Sequence, residues 1–270
     1  MNWDQIEQKL RSDYSHSVCY LGSNKQAIMK RWGEGLEAAI FSHKKLNKNE
    51  IKIHDCSCGT GLQLIPLAKR GFKVSGSDRT GEVVKICENE LTQLDLQANV
   101  FQHDCIKPYP EEYLDFFDVA ISVNNGNAHL CLPESDRDSL TSAFLNIKNI
   151  LKPNGLFFYS AKPLDIYQKE RAQQPHGSRD FELLEDGLRF TIKTSYIWTH
   201  KLDFVTSQTQ YLVENSLGES RKFIFESPFK IWQPEEILNC LLDAGFSDVS
   251  TNMVEQPSDG YKERWFTARR

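Results

Sequence analysis

Residues 51–80 limit the fold of this chain more than any other stretch. Ile51–His54 alternates apolar and polar side chains as a β-strand does, and a tight turn of small residues, Asp55–Gly61, follows it. The spacing of apolar residues predicts a helix over Leu62–Arg70, and a second strand over Phe72–Ser77. The stretch therefore predicts a βαβ unit with a glycine-bearing first turn.

The turn and the residue after the second strand indicate a ligand with a ribose. Gly59 and Gly61 lack a Cβ, so a ligand can approach the backbone closely, whereas a purely structural role would be packing of the helix on the sheet. Asp78 ends the second strand, where a carboxylate can accept from both hydroxyls of a ribose. A dinucleotide fold would have a third glycine where Leu64 stands, and Asp55 before the glycines suits an amino group better than a pyrophosphate.

Composition excludes several classes of protein. The 270 residues are 40% hydrophobic and 26% charged, which fits one large α/β domain or a domain with an insertion. A net charge of −5 predicts no nucleic-acid partner, and no apolar run is long enough to predict a membrane span. The N-terminus has no secretory pattern, and an odd count of seven cysteines fits reduced thiols, so we expect a cytoplasmic protein.

The N-terminal residues 1–44 are predicted to form a helical cover segment ahead of a main domain at 45–270. Apolar spacing predicts a helix near Trp3–Leu10 and a second one over Asn24–Ser42. Between them lies the polar and aromatic segment Tyr14–Ser23, for which packing and an active-site cover are equally supported interpretations.

The remaining pattern predicts an α/β fold with a doubly wound, mostly parallel seven-stranded sheet and helices on both faces. Phe117–Val123 is mostly apolar, as a central parallel strand is, and Leu156–Ser160 is the predicted fifth strand. Alternating residues within about 164–229 predict a small antiparallel insertion after that strand. The other predicted elements are helices at Gly81–Leu94, Ser139–Leu151 and Pro234–Leu242, a third strand around Val100, and a closing hairpin of Asp248–Val254 with Tyr261–Thr267.

Taken together, these motifs resemble class I S-adenosylmethionine (SAM) methyltransferases over about residues 45–270. The turn Asp55–Gly61 resembles their first motif, and Asp78 corresponds to their ribose-binding acid. The segment Asn125–Leu130 and the aromatic Tyr20–Gly22 are similar to the glycine and sarcosine N-methyltransferase group, which also carries an antiparallel insertion.

The resemblance implies SAM as cofactor, S-adenosylhomocysteine as product and no metal. Asp104, after the third strand, matches the acid that accepts from the adenine amine, although a plain turn or capping role is nearly as well supported. The residues expected to bind the cofactor are Tyr20, Asp55, Cys56, Cys58, Gly59, Gly61, Asp78, Arg79, Asp104, Cys105 and Asn124. A metal role for Cys56 and Cys58 lacks a second cluster with ligand spacing.

Asn125, His129 and Lys162 are the candidate residues for the methyl acceptor. An amine needs no dedicated base, because burial already favours its unprotonated form, so Asn125 is expected to orient the nucleophile. His129 would take a proton from a hydroxyl acceptor, but a structural histidine is the better supported role. Lys162 stands where the glycine enzymes have an arginine, which departs from bidentate carboxylate binding and is also compatible with a solvated surface lysine.

The sequence therefore predicts an enzyme that N-methylates a small amine or an amino-acid-like acceptor. An O- or C-methyltransferase of a small metabolite is the first alternative, and an NAD(P)-dependent oxidoreductase or a non-catalytic SAM-binding protein is the second. The expected partner is a small-molecule acceptor, with neither nucleic acid nor membrane, and homo-oligomer formation is left open.

Overall fold

The computed structural model describes residues 2–10, 25–124, 136–161, 180–185, 187–198, 204–255 and 262–270. The chain divides into two compact units. The smaller unit combines residues 1–25, 131–133 and 164–231, and the larger one combines residues 26–130, 134–163 and 232–270.

The larger unit is built on a seven-stranded sheet, whose strands are β1 (Lys52–Asp55), β2 (Lys73–Asp78), β3 (Asn99–Gln102), β4 (Phe117–Ser122), β5 (Leu151–Ala161), β10 (Ser247–Glu255) and β11 (Lys262–Arg269). Their order across the sheet is β10-β11-β5-β4-β1-β2-β3. Strands β1 to β5 run parallel to one another, whereas β11 pairs in the antiparallel sense with both β5 and β10. This arrangement confirms the predicted doubly wound, mostly parallel sheet.

Helices cover both faces of this sheet. The helices of the larger unit are α2 (Lys25–His43), α3 (Leu64–Lys69), α4 (Gly81–Gln93), α5 (Arg137–Ile150) and α6 (Pro234–Asp243), with short 3-10 helices at Lys48–Glu50 and Glu111–Tyr113. On one face, Trp32 of α2 stacks on Trp265 of β11, while on the other face Phe144 of α5 packs edge-on against Phe157 and Tyr159 of β5. Both contacts follow from strand alternation, which sends neighbouring residues to opposite faces.

Local signals mark where these helices begin or end; the sequence predicted those at Gly71 and Pro234 but not the one at Asp136. Gly71 follows α3 with a φ of +91°, and its N–H donates to the carbonyl of Ala68 at 2.9 Å. This left-handed conformation favours glycine at a helix C-terminus. Asp136 caps α5, where its side chain accepts from the backbone N–H of Ser139 at 2.8 Å, and Pro234 occupies the first turn of α6.

Strand β5 begins earlier than the sequence predicts. We expected helix α5 to run to Leu151 and the strand to start at Leu156, but β5 starts at Leu151 and contains an irregular register next to β4. Lys152 explains the early start, because its Nζ contacts both carboxylate oxygens of the buried Asp118 at 2.9 Å. A long-range ion pair therefore keeps residues 152–155 in the sheet, although their sequence is typical of a turn.

The smaller unit is a four-stranded antiparallel sheet, which confirms the predicted insertion after β5. Its strands are β6 (Asp180–Glu185), β7 (Leu188–Trp198), β8 (Phe204–Glu214) and β9 (Ser220–Lys230), of which β6 was not predicted. Helix α1 (Trp3–Lys9) shares a buried cluster with this sheet, consisting of Ile6, Leu10, Leu188, Phe190, Tyr211, Val213 and Phe223. Of the two helices predicted within residues 1–44, α1 falls in the smaller unit and α2 in the larger one.

Among the helices that the structure describes, none combines the length and apolar character that crossing a bilayer requires.

Candidate active site

The turn after β1 is closed by three backbone hydrogen bonds. The Cys58 N–H donates to the Ser77 carbonyl at 3.0 Å, Gly61 donates to Cys58 at 2.8 Å, and Ile65 donates to Gly61 at 2.9 Å. Gly59 has a φ of +49° and Gly61 a φ of +90°, both in the left-handed region that favours glycine. The turn thereby joins the end of β1 to the end of β2 at one edge of the sheet.

The Asp78 carboxylate is held at that edge by two backbone donors. Its Oδ2 accepts from the Gly59 N–H and its Oδ1 from the Thr80 N–H, each at 3.0 Å. The residue is half-buried. Each carboxylate oxygen can accept more than one hydrogen bond, so both oxygens can also receive ribose hydroxyls while they keep their backbone donors.

The two glycines of the turn have different roles. A Cβ built on Gly59 meets nothing within 4 Å, whereas a Cβ on Gly61 would lie 2.6 Å from Ile65 Cδ1 and 2.8 Å from Cys87 Sγ. Gly61 is therefore required by the packing of α3 and α4. A side chain at Gly61 would collide with the protein itself, and the predicted contact of Gly61 with the cofactor stays a prediction. Gly59 keeps the open space that a ligand needs.

Asp55 is a buried acid with one unpaired oxygen. It is only 3% exposed, its Oδ1 accepts from the Ser57 N–H at 3.2 Å, and its Oδ2 has no hydrogen-bond partner. Burial raises the pKa of Asp55 to about 7, the Ser57 N–H lowers it, and the nearby Asp78 charge raises it further. An orphaned carboxylate oxygen beside a ligand turn fits a cationic amino group, as the sequence suggested.

The three cysteines predicted near the cofactor have buried thiols. Cys56 and Cys58 are each 2% exposed and Cys105 is 1% exposed. Burial raises the pKa of the Cys105 thiol to about 12, and the pKa of Cys56 also lies well above its ordinary value because of burial. These thiols are neutral packing groups, so their predicted cofactor contacts, which stay predictions, would be made through the backbone.

The loop after β3 is fixed by a residue that the sequence did not reveal. Asn146 on α5 donates through its side-chain amide to the carbonyls of Cys105 and Ile106, at 3.1 and 2.8 Å. Asp104 Oδ1 accepts from the Ile106 N–H at 3.2 Å, which is a turn interaction. Nearby, the Arg79 carbonyl accepts from the Gln102 amide at 2.9 Å. The adenine role of Asp104 and the cofactor role of Arg79 stay predictions.

A buried chain of hydrogen bonds positions Asn124 at the carboxyl end of β4. Asn124 has a φ of +62°, and its backbone N–H donates to Ser160 Oγ at 2.8 Å. Ser160 in turn donates to Glu263 Oε2 at 2.6 Å, and both residues are 1% exposed. The sequence does not single out Glu263, because it stands between two other charged residues, Lys262 and Arg264.

Four of the predicted site residues lie outside the described part of the chain, namely Tyr20, Asn125, His129 and Lys162. Their roles stay predictions. Within the residues that the structure describes, no group of three or more His, Cys, Asp or Glu side chains is arranged to hold a metal ion.

Comparison with known proteins shows what this chain is similar to. Residues 53–155 match the family described as "Methyltransferase domain". The chain is 27% identical over 158 residues to glycine N-methyltransferase of Rattus norvegicus, covering 54% of this chain and 50% of that protein. It thus spans about half the length of the curated relatives it matches.

Solved structures share the fold over nearly the whole chain. A SAM-dependent methyltransferase from Clostridium acetobutylicum superposes with a TM-score of 0.69 at 16% identity, covering 95% of this chain and 98% of that one. A sugar N-methyltransferase from Streptoalloteichus sp. superposes with a TM-score of 0.69 at 15% identity, covering 95% and 92%. Residues 53–155 thus match a methyltransferase domain, and the chain shares the fold of solved SAM-dependent methyltransferases.

Proposed function

We propose that the protein transfers a methyl group from SAM to the nitrogen of a small amine. The observation that carries the proposal is the juxtaposition of a fixed Asp78 carboxylate, an open Gly59 and an unpaired Asp55 oxygen at one edge of the sheet. These groups complement a ribose, a close-lying ligand backbone and an amino group, respectively.

SAM, when bound, supplies a methyl group on a positively charged sulfur that leaves as a neutral thioether. The chain must therefore orient the acceptor and exclude water, with no need to stabilise a developing anion. Ser160 and Glu263 hold the backbone of Asn124 at the carboxyl end of β4, where ligands of open α/β sheets bind. In this proposal Asn125, the next residue, orients the acceptor nitrogen.

The proposed acceptor is an amine on a small polar scaffold, such as an amino acid or an amino sugar. Support comes from relatives named glycine N-methyltransferase and sugar N-methyltransferase, although both are distant. Lys162 would bind an acceptor carboxylate through one charge-assisted hydrogen bond, which favours a small anionic amine over a neutral one. We propose this acceptor as the partner, with no nucleic acid.

The test is transfer of a labelled methyl group from SAM to matched acceptors that differ in one atom. Glycine, sarcosine and an amino sugar form the amine set, and glycolate and the corresponding hydroxy sugar form the hydroxyl set. We expect transfer to at least one amine, no transfer to its hydroxyl partner, and loss of transfer in Asp78→Ala. Transfer to hydroxyls alone would replace N-methylation by the O-methyltransferase alternative.

Lys162 is tested on one amine with and without its carboxylate. If Lys162 binds the carboxylate, Lys162→Met raises KM only for the acid, and SAM affinity is unchanged. Lys162→Arg is the matched control, since it keeps the charge and adds a second donor. Equal losses for both acceptors in Lys162→Met would show that Lys162 does not bind the carboxylate.

A further inference from the structure

The carboxyl end of β4 is held from β11 by a chain of two hydrogen bonds that crosses β5. The Asn124 backbone N–H donates to Ser160 Oγ at 2.8 Å, and Ser160 Oγ donates to Glu263 Oε2 at 2.6 Å. Strands β4, β5 and β11 are consecutive in the sheet. A charged residue therefore acts on Asn124 across two strand spacings, or roughly 10 Å.

The carboxylate fixes the direction of this chain. A serine hydroxyl has one proton to donate, and an ionised carboxylate can only accept. Glu263 therefore keeps the Ser160 proton on its own side, which leaves a lone pair of the hydroxyl facing the Asn124 N–H. The 2.6 Å separation is typical of charge-assisted O–H···O⁻ bonds, which are stronger than bonds between neutral groups.

The backbone of Asn124 has a conformation that needs such a restraint. Its φ of +62° lies in the left-handed region, which residues other than glycine rarely adopt and which often marks functional sites. Ser160 and Glu263 are both buried, and burial of a carboxylate is costly. Since the serine alone would satisfy the Asn124 N–H, the carboxylate behind it indicates that this chain keeps one backbone direction at the edge of the sheet.

The cofactor turn is tied to β4 by separate contacts. Ser57 Oγ and Ser122 Oγ lie 3.0 Å apart, and the Cys56 N–H donates to the Ile121 carbonyl at 2.8 Å. Neither contact involves the chain from β11. The position of the turn is thus set independently of that chain, so breaking the chain should leave SAM binding intact.

We propose that Glu263 is a positioning residue for methyl transfer, which acts through Ser160 to set the backbone direction at Asn124 and thereby the placement of the acceptor. This inference rests on the proposed function, in which Asn125 orients the acceptor, but it applies to a nitrogen and an oxygen acceptor alike. Loss of the chain displaces the acceptor relative to the methyl group, and a displacement of about 1 Å can slow a reaction roughly 100-fold.

The kinetic test measures kcat at saturating SAM with the acceptor that the labelled-methyl screen selects. Ser160→Ala and Glu263→Met should each lower kcat roughly 10- to 100-fold, while the Kd of SAM changes less than about twofold. Ser160→Thr keeps the hydroxyl and should retain most of the parent rate. Glu263→Gln keeps an uncharged acceptor and should fall between the parent and Glu263→Met. The double variant should be no slower than the slower single variant, because both residues act through one chain.

Ser75→Ala is the matched control for a merely structural role. Ser75 is a buried serine of β2 that contacts His54 instead of the strand ends. This variant should be less stable to urea and should keep the parent kcat. The proposal is overturned if Ser160→Ala behaves as Ser75→Ala does, if the losses of Ser160→Ala and Glu263→Met add in the double variant, or if SAM affinity falls in step with kcat.

Hydrogen exchange at the Asn124 backbone amide tests the chain without an acceptor. In nitrogen-15 NMR spectra of the full chain, Ser160→Ala should speed this exchange about tenfold or more, and Ser160→Thr should restore it. Ser75→Ala should leave the exchange unchanged. Unchanged exchange in Ser160→Ala overturns the proposal even where methyl transfer is observed. Absence of methyl transfer in the parent protein would instead refute the proposed function, so the two failures are distinguishable.

Discussion

Strands β1 and β2 carry polar side chains on both faces of the sheet. On one face the histidine ring is fully hydrogen-bonded, whereas on the other face a carboxylate oxygen has no partner. On one face, His54 is enclosed with Ser75 and Ser77, and each of its ring nitrogens has a hydroxyl partner. On the other face, Asp55 and Asp78 lie beside the glycine turn, and Asp55 keeps an unpaired oxygen. His54 and Asp55, which are adjacent on β1, thus belong to two polar sites: a closed site in which every ring nitrogen is paired, and an open site that keeps an unpaired oxygen.

The closed site has a structural role. His54 Nδ1 lies 2.7 Å from Ser75 Oγ and Nε2 lies 3.0 Å from Ser77 Oγ, and the ring packs edge-on against Tyr109. Burial first, and the nearby His103 second, lower the pKa of His54 to about 3. A neutral, fully paired imidazole has no remaining capacity for a ligand, whereas the open face retains it.

His54→Ala should have the largest effect, and that effect should be on stability. We expect the free energy of unfolding to fall by about 3–4 kcal/mol, because the change empties a packed site. It also leaves the Ser75 hydroxyl without its imidazole partner and leaves Ser77 with only its 3.4 Å contact to the Tyr109 hydroxyl. Urea denaturation of the ligand-free protein measures this loss. If stability were retained and SAM affinity were lost in the folded variant, His54 would belong to the open site.

Asp78→Ala should act on binding, which contrasts the two faces directly. Removing a carboxylate that binds a ribose should weaken SAM by about 1.5–3 kcal/mol, or roughly 10- to 150-fold. Calorimetric titration measures the change. Glu88→Ala is the matched control, because it removes the same charge from an exposed position of α4. Equal SAM affinity in both variants would exclude Asp78 from the cofactor site.

The pH dependence of stability compares the two faces without a ligand. His54 has a folded pKa of about 3 and an ordinary value of 6.5, so its contribution is present above pH 6.5 and is lost as the pH falls. Asp55 has a folded pKa of about 7 and an ordinary value of 3.8, so its contribution is present at low pH and is lost as the pH rises. Between 3.8 and 6.5 the two contributions oppose each other.

Asp55→Asn removes the contribution of Asp55 to the pH dependence of stability and leaves that of His54. Relative to the parent, the variant should lose about 2 kcal/mol of stability between pH 6.5 and about pH 5, since each full proton difference is worth about 1.4 kcal/mol per pH unit. Urea denaturation of both proteins at the two pH values measures the difference. Parallel stability curves would mean that Asp55 ionises normally in the folded chain.

The smallest expected effect is that of Asp55→Asn on SAM affinity. A carboxylate that binds the amino group must be ionised, so affinity of the parent should rise between about pH 6 and 8, around the pKa of Asp55 of about 7. The variant should bind about 1–2 kcal/mol more weakly at pH 8 and show little of this rise. Calorimetry in two buffers measures the proton that the parent releases when it binds SAM. If the variant releases the same amount, the proton comes from a group other than Asp55.

Many elements of the larger unit follow from the sequence. Apolar residues at helical spacing give α2, in which Ile28, Trp32, Leu36 and Ile40 are all buried. The mostly apolar run of β4 gives a strand in which every residue is buried, including Asp118 and Ser122. These features are local, because helix and strand periods are set by backbone geometry, and the turn signals at Gly71 and Pro234 act within a few residues.

The sequence also determined the positions of Asp55, Gly59 and Asp78 at one sheet edge, because parallel strands end at the same side. Only the tertiary structure decided the rest. The role of Gly61 depends on Cys87, and the early start of β5 depends on a lysine that reaches Asp118.

The long-range pairs share one physical reason. Glu263 fixes Ser160 from 103 positions away, and Trp32 stacks on Trp265 from the other end of the chain. Neither pair has a period or a spacing in the sequence, because each is formed by strands and helices that meet only after the sheet has assembled. The sequence therefore determined which chemical groups reach the edge of the sheet, while packing decided which of them are enclosed and which remain open to a ligand.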